Sequence, residues 1–344
     1  MRAFIAVCII CLMVMPVAAA QIEAPEVPAS GARIMPEAKS FGEGLMKILR
    51  DIIPVIRPDL YEASMVCVGL IGAVMISSLI QGASEQIRLV TDIAATAGIG
   101  ASMLLSMDSL ISLAAQTVTE MTEYGKLLLP VMTTALAAQG APGTSAALYT
   151  GAAVANALIG SVISSVLVPA VYIFLAVSIA TAATGEEMLK KFRDLIRTAV
   201  TWCLKSSLTL FTTYMGMSGI ISGSADAAAL KAAKVTISSM VPVVGGILSD
   251  ASETVLLSIG IARNAAGLYG IFAILAVFLE PFILIGCHYL MLKITAAVCS
   301  VFGTKRMTDF ISDLSSGMGL LLGMTGAVCF LLLISCVCFI RGVS

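Results

Sequence analysis

Asp108 and Glu280 are acidic residues inside stretches otherwise apolar enough to cross a bilayer. A carboxylate at that depth is costly in hydrocarbon and ordinarily faces a bundle interior or a wet cavity. One reading makes the pair steps of a proton or solute path. The other makes them buried side chains hydrogen-bonded to neighbouring helices, or groups nearer an interface. Glu280 precedes Pro281, whose missing N–H frees a carbonyl in the preceding turn. His288 is the only histidine, so a Ser-His-Asp or Cys-His arrangement would have to use it. It stands beside Tyr289 in an apolar run, where a helix-packing role is the plainer reading. Of nine cysteines, Cys8 and Cys11 belong to the leader. Cys67, Cys203, Cys287, Cys299, Cys329, Cys336 and Cys338 sit in apolar runs without metal-ligand spacing. They read as small apolar residues rather than redox or metal groups, and no cofactor is expected. No Walker loop or other phosphate-cradling glycine motif is present. The chain is not expected to be an enzyme, and energy for any work must come from a gradient or a partner ATPase.

The elements that position these residues belong to a membrane. Residues 127–185 hold no Asp, Glu, Lys, Arg or His, a run of 59. As helix this run would extend about 88 Å, nearly three times the ~30 Å hydrocarbon thickness. Hydrophobic residues are 59% and charged residues 12%, against about 25% charged in soluble domains. The net charge of -1 leaves no basic field to hold nucleic acid. The 29 glycines, with many Ala and Ser, suit close helix packing in lipid. The expected fold is an all-α polytopic membrane bundle of about six to eight spans, with broken or re-entrant elements.

Residues 1–20 read as a secretory signal: Arg2, the apolar core Ala3 to Val14, and Ala18-Ala19-Ala20 as the cleavage site. Cleavage would leave Gln21 outside the cytoplasm; an uncleaved anchor is the alternative. Residues 21–60 are expected as an extracytoplasmic linker and a short surface helix. That helix carries Phe41, Leu45, Ile48, Leu49 and Ile52 at helical spacing, and Pro54 and Pro58 are expected to end it. Residues 61–344 form the membrane domain.

Within that domain, spans are expected at about Ser64–Ile80, Ile93–Val118, Thr198–Gly219, Ala265–Leu292 and Leu314–Ile340. Glu120, Glu123 and Lys126 should mark an interface. The uncharged run is expected to cross once or three times, broken at Gln139–Gly143 with Pro142 in the break. Lys190, Lys191, Arg193 and Arg197 make residues 186–197 the most basic short loop, placed in the cytoplasm by the positive-inside rule. Glu186–Lys190 and Glu187–Lys191 have favourable i,i+4 spacing there. Lys305 and Arg306 suggest a second cytoplasmic turn. Two half-length apolar pieces flank Val241–Gly246, where Pro242, Gly245 and Gly246 predict a re-entrant or surface-lying element. Gly219 and Gly223 have close-packing spacing, a pattern common by chance in so glycine-rich a chain.

Four ordered blocks carry a resemblance. They are Lys231-Ala-Ala-Lys234, Met240-Val-Pro-Val-Val-Gly-Gly246, Leu248-Ser-Asp-Ala-Ser-Glu-Thr-Val-Leu256 and Asn264-Ala-Ala-Gly267. With Met121-Thr-Glu-Tyr-Gly-Lys-Leu-Leu-Leu-Pro130, they make residues 60–340 resemble the stage III sporulation protein AE family of endospore-forming bacteria. The segment after the leader is shorter than is usual in that family. The resemblance implies a multi-pass protein of the mother-cell (outer forespore) membrane, in contact with membrane lipid. It implies partnership with other stage III A proteins, including a separate ATPase, and indirectly with stage II sporulation protein Q from the forespore. The complex would act as a channel or secretion-like apparatus, without nucleic acid. A stand-alone secondary transporter or permease is the alternative, with Gln139–Gly143 and Val241–Gly246 as paired discontinuous helices.

Overall fold

The computed structural model describes residues 25–36, 41–81, 85–138, 142–217, 265–303 and 305–341. Among them all regular structure is helical: α1 (Ala29–Ala32), α2 (Phe41–Gln81), α3 (Glu85–Ala138), α4 (Pro142–Val162), a π-helical turn (Ile163–Leu167), α5 (Val168–Thr184), α6 (Glu187–Met217), α7 (Ala265–Phe302) and α8 (Lys305–Arg341). The leader and its cleavage site lie outside the described residues. So do Gly219, Gly223, Pro242, Gly245 and Gly246.

Four stretches are long and apolar enough to cross a bilayer: Phe41–Leu79, Ser145–Thr184, Gly267–Val301 and Lys305–Ile340. A fifth arises if Ile93–Ala101 and Ser106–Thr134, bent by 41°, count as one span. The described residues thus supply four or five spans against the six to eight expected. The expected span Thr198–Gly219 is not among them. Its described part belongs to α6, a helix with Lys191 and Lys205 exposed and Arg193, Val200, Leu204 and Leu208 buried.

Two helices run through residues expected to end them. α2 continues past Pro54 and Pro58, so the boundary drawn at residue 60 falls inside one helix. The two prolines are four apart and exposed on one side, so their lost hydrogen bonds face outward. On the other side Ile48, Ile52 and Ile56 pack with Ile34 and Phe272, holding the helix in place. α3 continues through Glu120, Glu123 and Lys126 to Ala138. Residues 127–138 are therefore its last three turns rather than a separate short crossing. Pro142 opens α4, where its missing N–H costs nothing. The chain then stays helical to Thr184, so the uncharged run supplies one continuous stretch long enough to cross, Ser145–Thr184. Pro169 would collide with the carbonyl four residues back in a regular helix; the π-helical turn just before it widens the backbone there. Gly185, at φ 75°, ends α5, and its N–H donates to the Thr181 carbonyl at 2.8 Å.

The centre of the molecule is α8. Every residue from Leu314 to Ile340 is buried. A helix apolar on all sides has no solvent face and belongs inside. α8 forms a hairpin with α7 through Gly303 and also contacts α3, α4, α5 and α6. Gly267 packs on Ile340 at one end of the hairpin. Nearer the other end, the Ser315 hydroxyl donates to the Tyr289 carbonyl at 3.2 Å. The two basic turns share an end of the bundle, because Gly185 lies against the Arg306 guanidinium. At the opposite end the Tyr214 hydroxyl donates to the Ala147 carbonyl at 3.1 Å.

Candidate functional site

Glu280 lies half-buried on α7, one residue before Pro281 in an uninterrupted helix. It is within electrostatic reach of Asp59 on α2 and of Arg33 just after α1. Arg33 thus sets an opposite charge within reach of this half-buried acid. α1 holds them together. Its Gly31 fits against Val277 of α7, and its Ser30 hydroxyl donates to Glu120 of α3 at 2.5 Å.

Asp108 is elsewhere. It is exposed on α3 and accepts a hydrogen bond of 2.7 Å from the Tyr172 hydroxyl of α5. The structure thus gives the two acids different partners on different faces and does not join them into one site.

Below Glu280, a cleft of about 360 Å³ opens between α2, α3 and α7. Asp59, Glu62, Ser106, Ser109 and His288 supply its polar lining, and Met103 and Leu292 part of its apolar lining. His288 sits in this wall with Nδ1 2.9 Å from the Leu284 carbonyl of its own helix. That bond is to the ring's own helix, and the side chain lines the cleft. Asp59 and Glu62 lie where a linker was expected to pass into a span at Ser64, so the sequence alone does not assign them to this cleft. Their i,i+3 spacing, which puts both on one helix face, was the available signal.

The second polar centre is at the basic end. Arg193, expected in a basic cytoplasmic loop, is buried on α6. It forms an ion pair with Asp313 of α8, and its Nε and Nη2 donate to Asp194 at 3.1 and 2.9 Å. The expected Glu186–Lys190 and Glu187–Lys191 pairs are not among the ion pairs of the described residues. Around Arg193, a cavity of about 320 Å³ is lined by Lys190, Lys305, Arg306, Glu186, Glu187 and Asp309.

Among the described residues, no three His, Cys, Asp or Glu side chains converge as a metal site. Of the seven described cysteines, Cys67, Cys203 and Cys287 are half-buried, and Cys299, Cys329, Cys336 and Cys338 are buried. The arrangement can place carboxylates and a histidine beside a cleft at span depth and can hold helices α6 and α8 together by charge.

The family model for stage III sporulation protein AE matches residues 30–342. Stage III sporulation protein AE of Bacillus subtilis (strain 168) is 22% identical over 232 residues, 67% of this chain. The match spans 58% of that relative's length. No solved structure matches. A match over nearly the whole described bundle, on a chain built of long apolar helices, decides the assignment: this polytopic membrane protein belongs to the stage III sporulation protein AE family.

Proposed function

We infer that the protein is a passive membrane core of the sporulation stage III A complex. It supplies part of a channel or secretion-like apparatus between mother cell and forespore, and sits in the mother-cell (outer forespore) membrane. Other stage III A proteins, one of them an ATPase, are its partners, and stage II sporulation protein Q meets it indirectly. It catalyses no reaction of its own and uses no cofactor or nucleic acid. The observation that carries this reading is the family match across residues 30–342. The absence of any Walker loop in the sequence supports an energy source on another subunit.

The test is affinity purification from sporulating cells, with mass spectrometry of the proteins bound to this one. The stage III A proteins should co-purify, and deletion should arrest development after engulfment while vegetative growth is unchanged. Normal sporulation of the deletion strain would overturn the reading. A stand-alone secondary transporter is favoured by one observation, the carboxylate-lined cleft between α2, α3 and α7. It predicts gradient-driven solute uptake by liposomes containing only this protein.

A further inference from the structure

The α7–α8 hairpin marks where hydrocarbon can lie. Between Gly267 and Tyr289 on α7 the ionisable side chains are Glu280, Cys287, His288 and tyrosines. The facing stretch of α8, Ser315 to Ile340, contains no Asp, Glu, Lys, Arg or His. From Gly267 to Tyr289 the helix rises about 33 Å, close to the ~30 Å of a hydrocarbon core.

Two sides of the bundle meet that slab differently. On the α4–α5–α6 side, the exposed residues include the large apolar Val154, Leu158, Val166, Ile173 and Leu210, with Lys205 a lone charge among them. Their level is set by Asn156, whose Nδ2 donates to the Thr122 carbonyl at 2.9 Å, and by Gly125, which packs on Leu332 of α8. Apart from Lys205, this side suits lipid tails.

The α1–α2–α3 side does not. The Phe41 ring stacks on Phe272 at 5.7 Å, and Gly44 also meets Phe272. Further along α2, Asp59 and Glu62 share a cleft with Leu284 and His288. The first half of α2 therefore runs beside the most apolar part of α7. It carries Lys47, Arg50, Asp51, Arg57, Asp59 and Glu62 there, and all but the half-buried Asp51 are exposed. On α3, Leu128 packs against Gly270 at the same level, and Glu123 and Lys126, 61% and 54% exposed and paired at 2.6 Å, lie just before it, on the strip between Glu120, which meets α1, and Thr122, which meets α4. Each such charge in mid-bilayer costs ~2.5–3.5 kcal/mol even on insertion scales. Pro54 and Pro58 add to this, since each leaves a carbonyl in the preceding turn unpaired on the exposed side. Hydrocarbon cannot satisfy a free carbonyl; water can.

We propose that the α1–α2–α3 side of the bundle faces water at the depth of the bilayer, as one wall of an aqueous path into which the Asp59–Glu62–His288 cleft opens. Charges of both signs line this wall, so it favours hydrated polar solutes over a single ion type. The proposal stands on helix levels and charge alone. It survives if the stage III A partnership fails, and can fail while that partnership holds.

The experiment uses the full-length protein in lysed native membranes, so that both membrane faces are open to reagent. Arg50→Cys, Asp59→Cys and Glu123→Cys sample the charged side; Val154→Cys, Leu158→Cys and Leu210→Cys sample the apolar side. Modification by a charged, membrane-impermeant maleimide is followed by peptide mass spectrometry and normalised to the denatured protein. A thiol must ionise in water to react, so the charged-side positions should be modified at least about tenfold faster than the apolar-side ones. A second measurement needs no substitution. In the unaltered chain Cys67, which lines the cleft, should react while the buried Cys329 and Cys336 stay protected. Charged-side rates no faster than apolar-side rates mean that lipid or protein covers the wall, and overturn the proposal whatever Cys67 does.

Discussion

Arg193 shows what one side chain does for the assembly of the whole. Its guanidinium is buried between Asp313 and Asp194, so it ties the amphipathic helix α6 to the central helix α8. Removing one member of a buried pair strands the other charge, which typically costs about 3–5 kcal/mol. Arg193→Leu should therefore lower the unfolding midpoint in mild detergent markedly. Arg193→Leu combined with Asp313→Leu should recover most of the loss, because no charge is then left stranded. A double variant as unstable as the single one would show that the pair is not the tie. The two span-depth acids make a second test. Asp108 bonds to Tyr172, and Glu280 faces Asp59 and Arg33, so they share no partner. Effects at sites without shared partners add in free energy and multiply in yield. The spore-yield reductions of Asp108→Asn and Glu280→Gln should multiply in the double variant; a double variant no worse than either single one would place both acids on one path.

Helix against helix, the close contacts are made by glycines. A Cβ at Gly125 would meet Leu332 and Asn156 within 3 Å, and one at Gly160 would meet Thr122. Gly42, in the exposed first turn of α2, has nothing within 4 Å. Gly125→Val should therefore destabilise by about 1–3 kcal/mol through overpacking. Gly42→Ala should be neutral or slightly stabilising, by at most about 1 kcal/mol, through reduced unfolded-state freedom. Thermal unfolding of the two variants in the same detergent checks the contrast. At this scale the sequence was legible where composition decides, and illegible where packing does. The uncharged run declared a membrane helix, and Lys190 to Arg197 declared one end of the bundle. Pro54, Pro58 and the Glu120–Lys126 cluster were misleading because charges and prolines set where lipid lies, whereas neighbouring helices set where a helix stops. Ile48, Ile52 and Ile56 keep α2 helical past its prolines by packing on Ile34 and Phe272, a contact more than two hundred residues distant in part. Nor could Asp59 and Glu62 be assigned to a cleft before α3 and α7 were seen to complete it.

For the whole molecule, the order of helices fixes a topology. Gly185 against Arg306 puts the turn before α6 and the turn before α8 at one end. Both are rich in Lys and Arg, so the positive-inside rule assigns both to the cytoplasm. Lys191→Cys and Lys305→Cys, both at exposed positions, should resist an impermeant thiol reagent in intact cells and react together in inverted vesicles. Labelling of one but not the other in intact cells would break the shared end.

The burial of α8 on every side has a consequence for biosynthesis. The ribosome makes α8 after every helix it packs among, so the earlier helices enter the membrane around a gap only α8 can fill. Until then Gly125 and Gly267 lack Leu332 and Ile340, the partners that their missing side chains accommodate. A nascent chain stalled before Lys305 should therefore be a substrate for membrane proteases rather than a partly working protein. Pulse-chase of a chain truncated there would show this as rapid turnover, with rescue when residues 305–344 are supplied as a separate polypeptide.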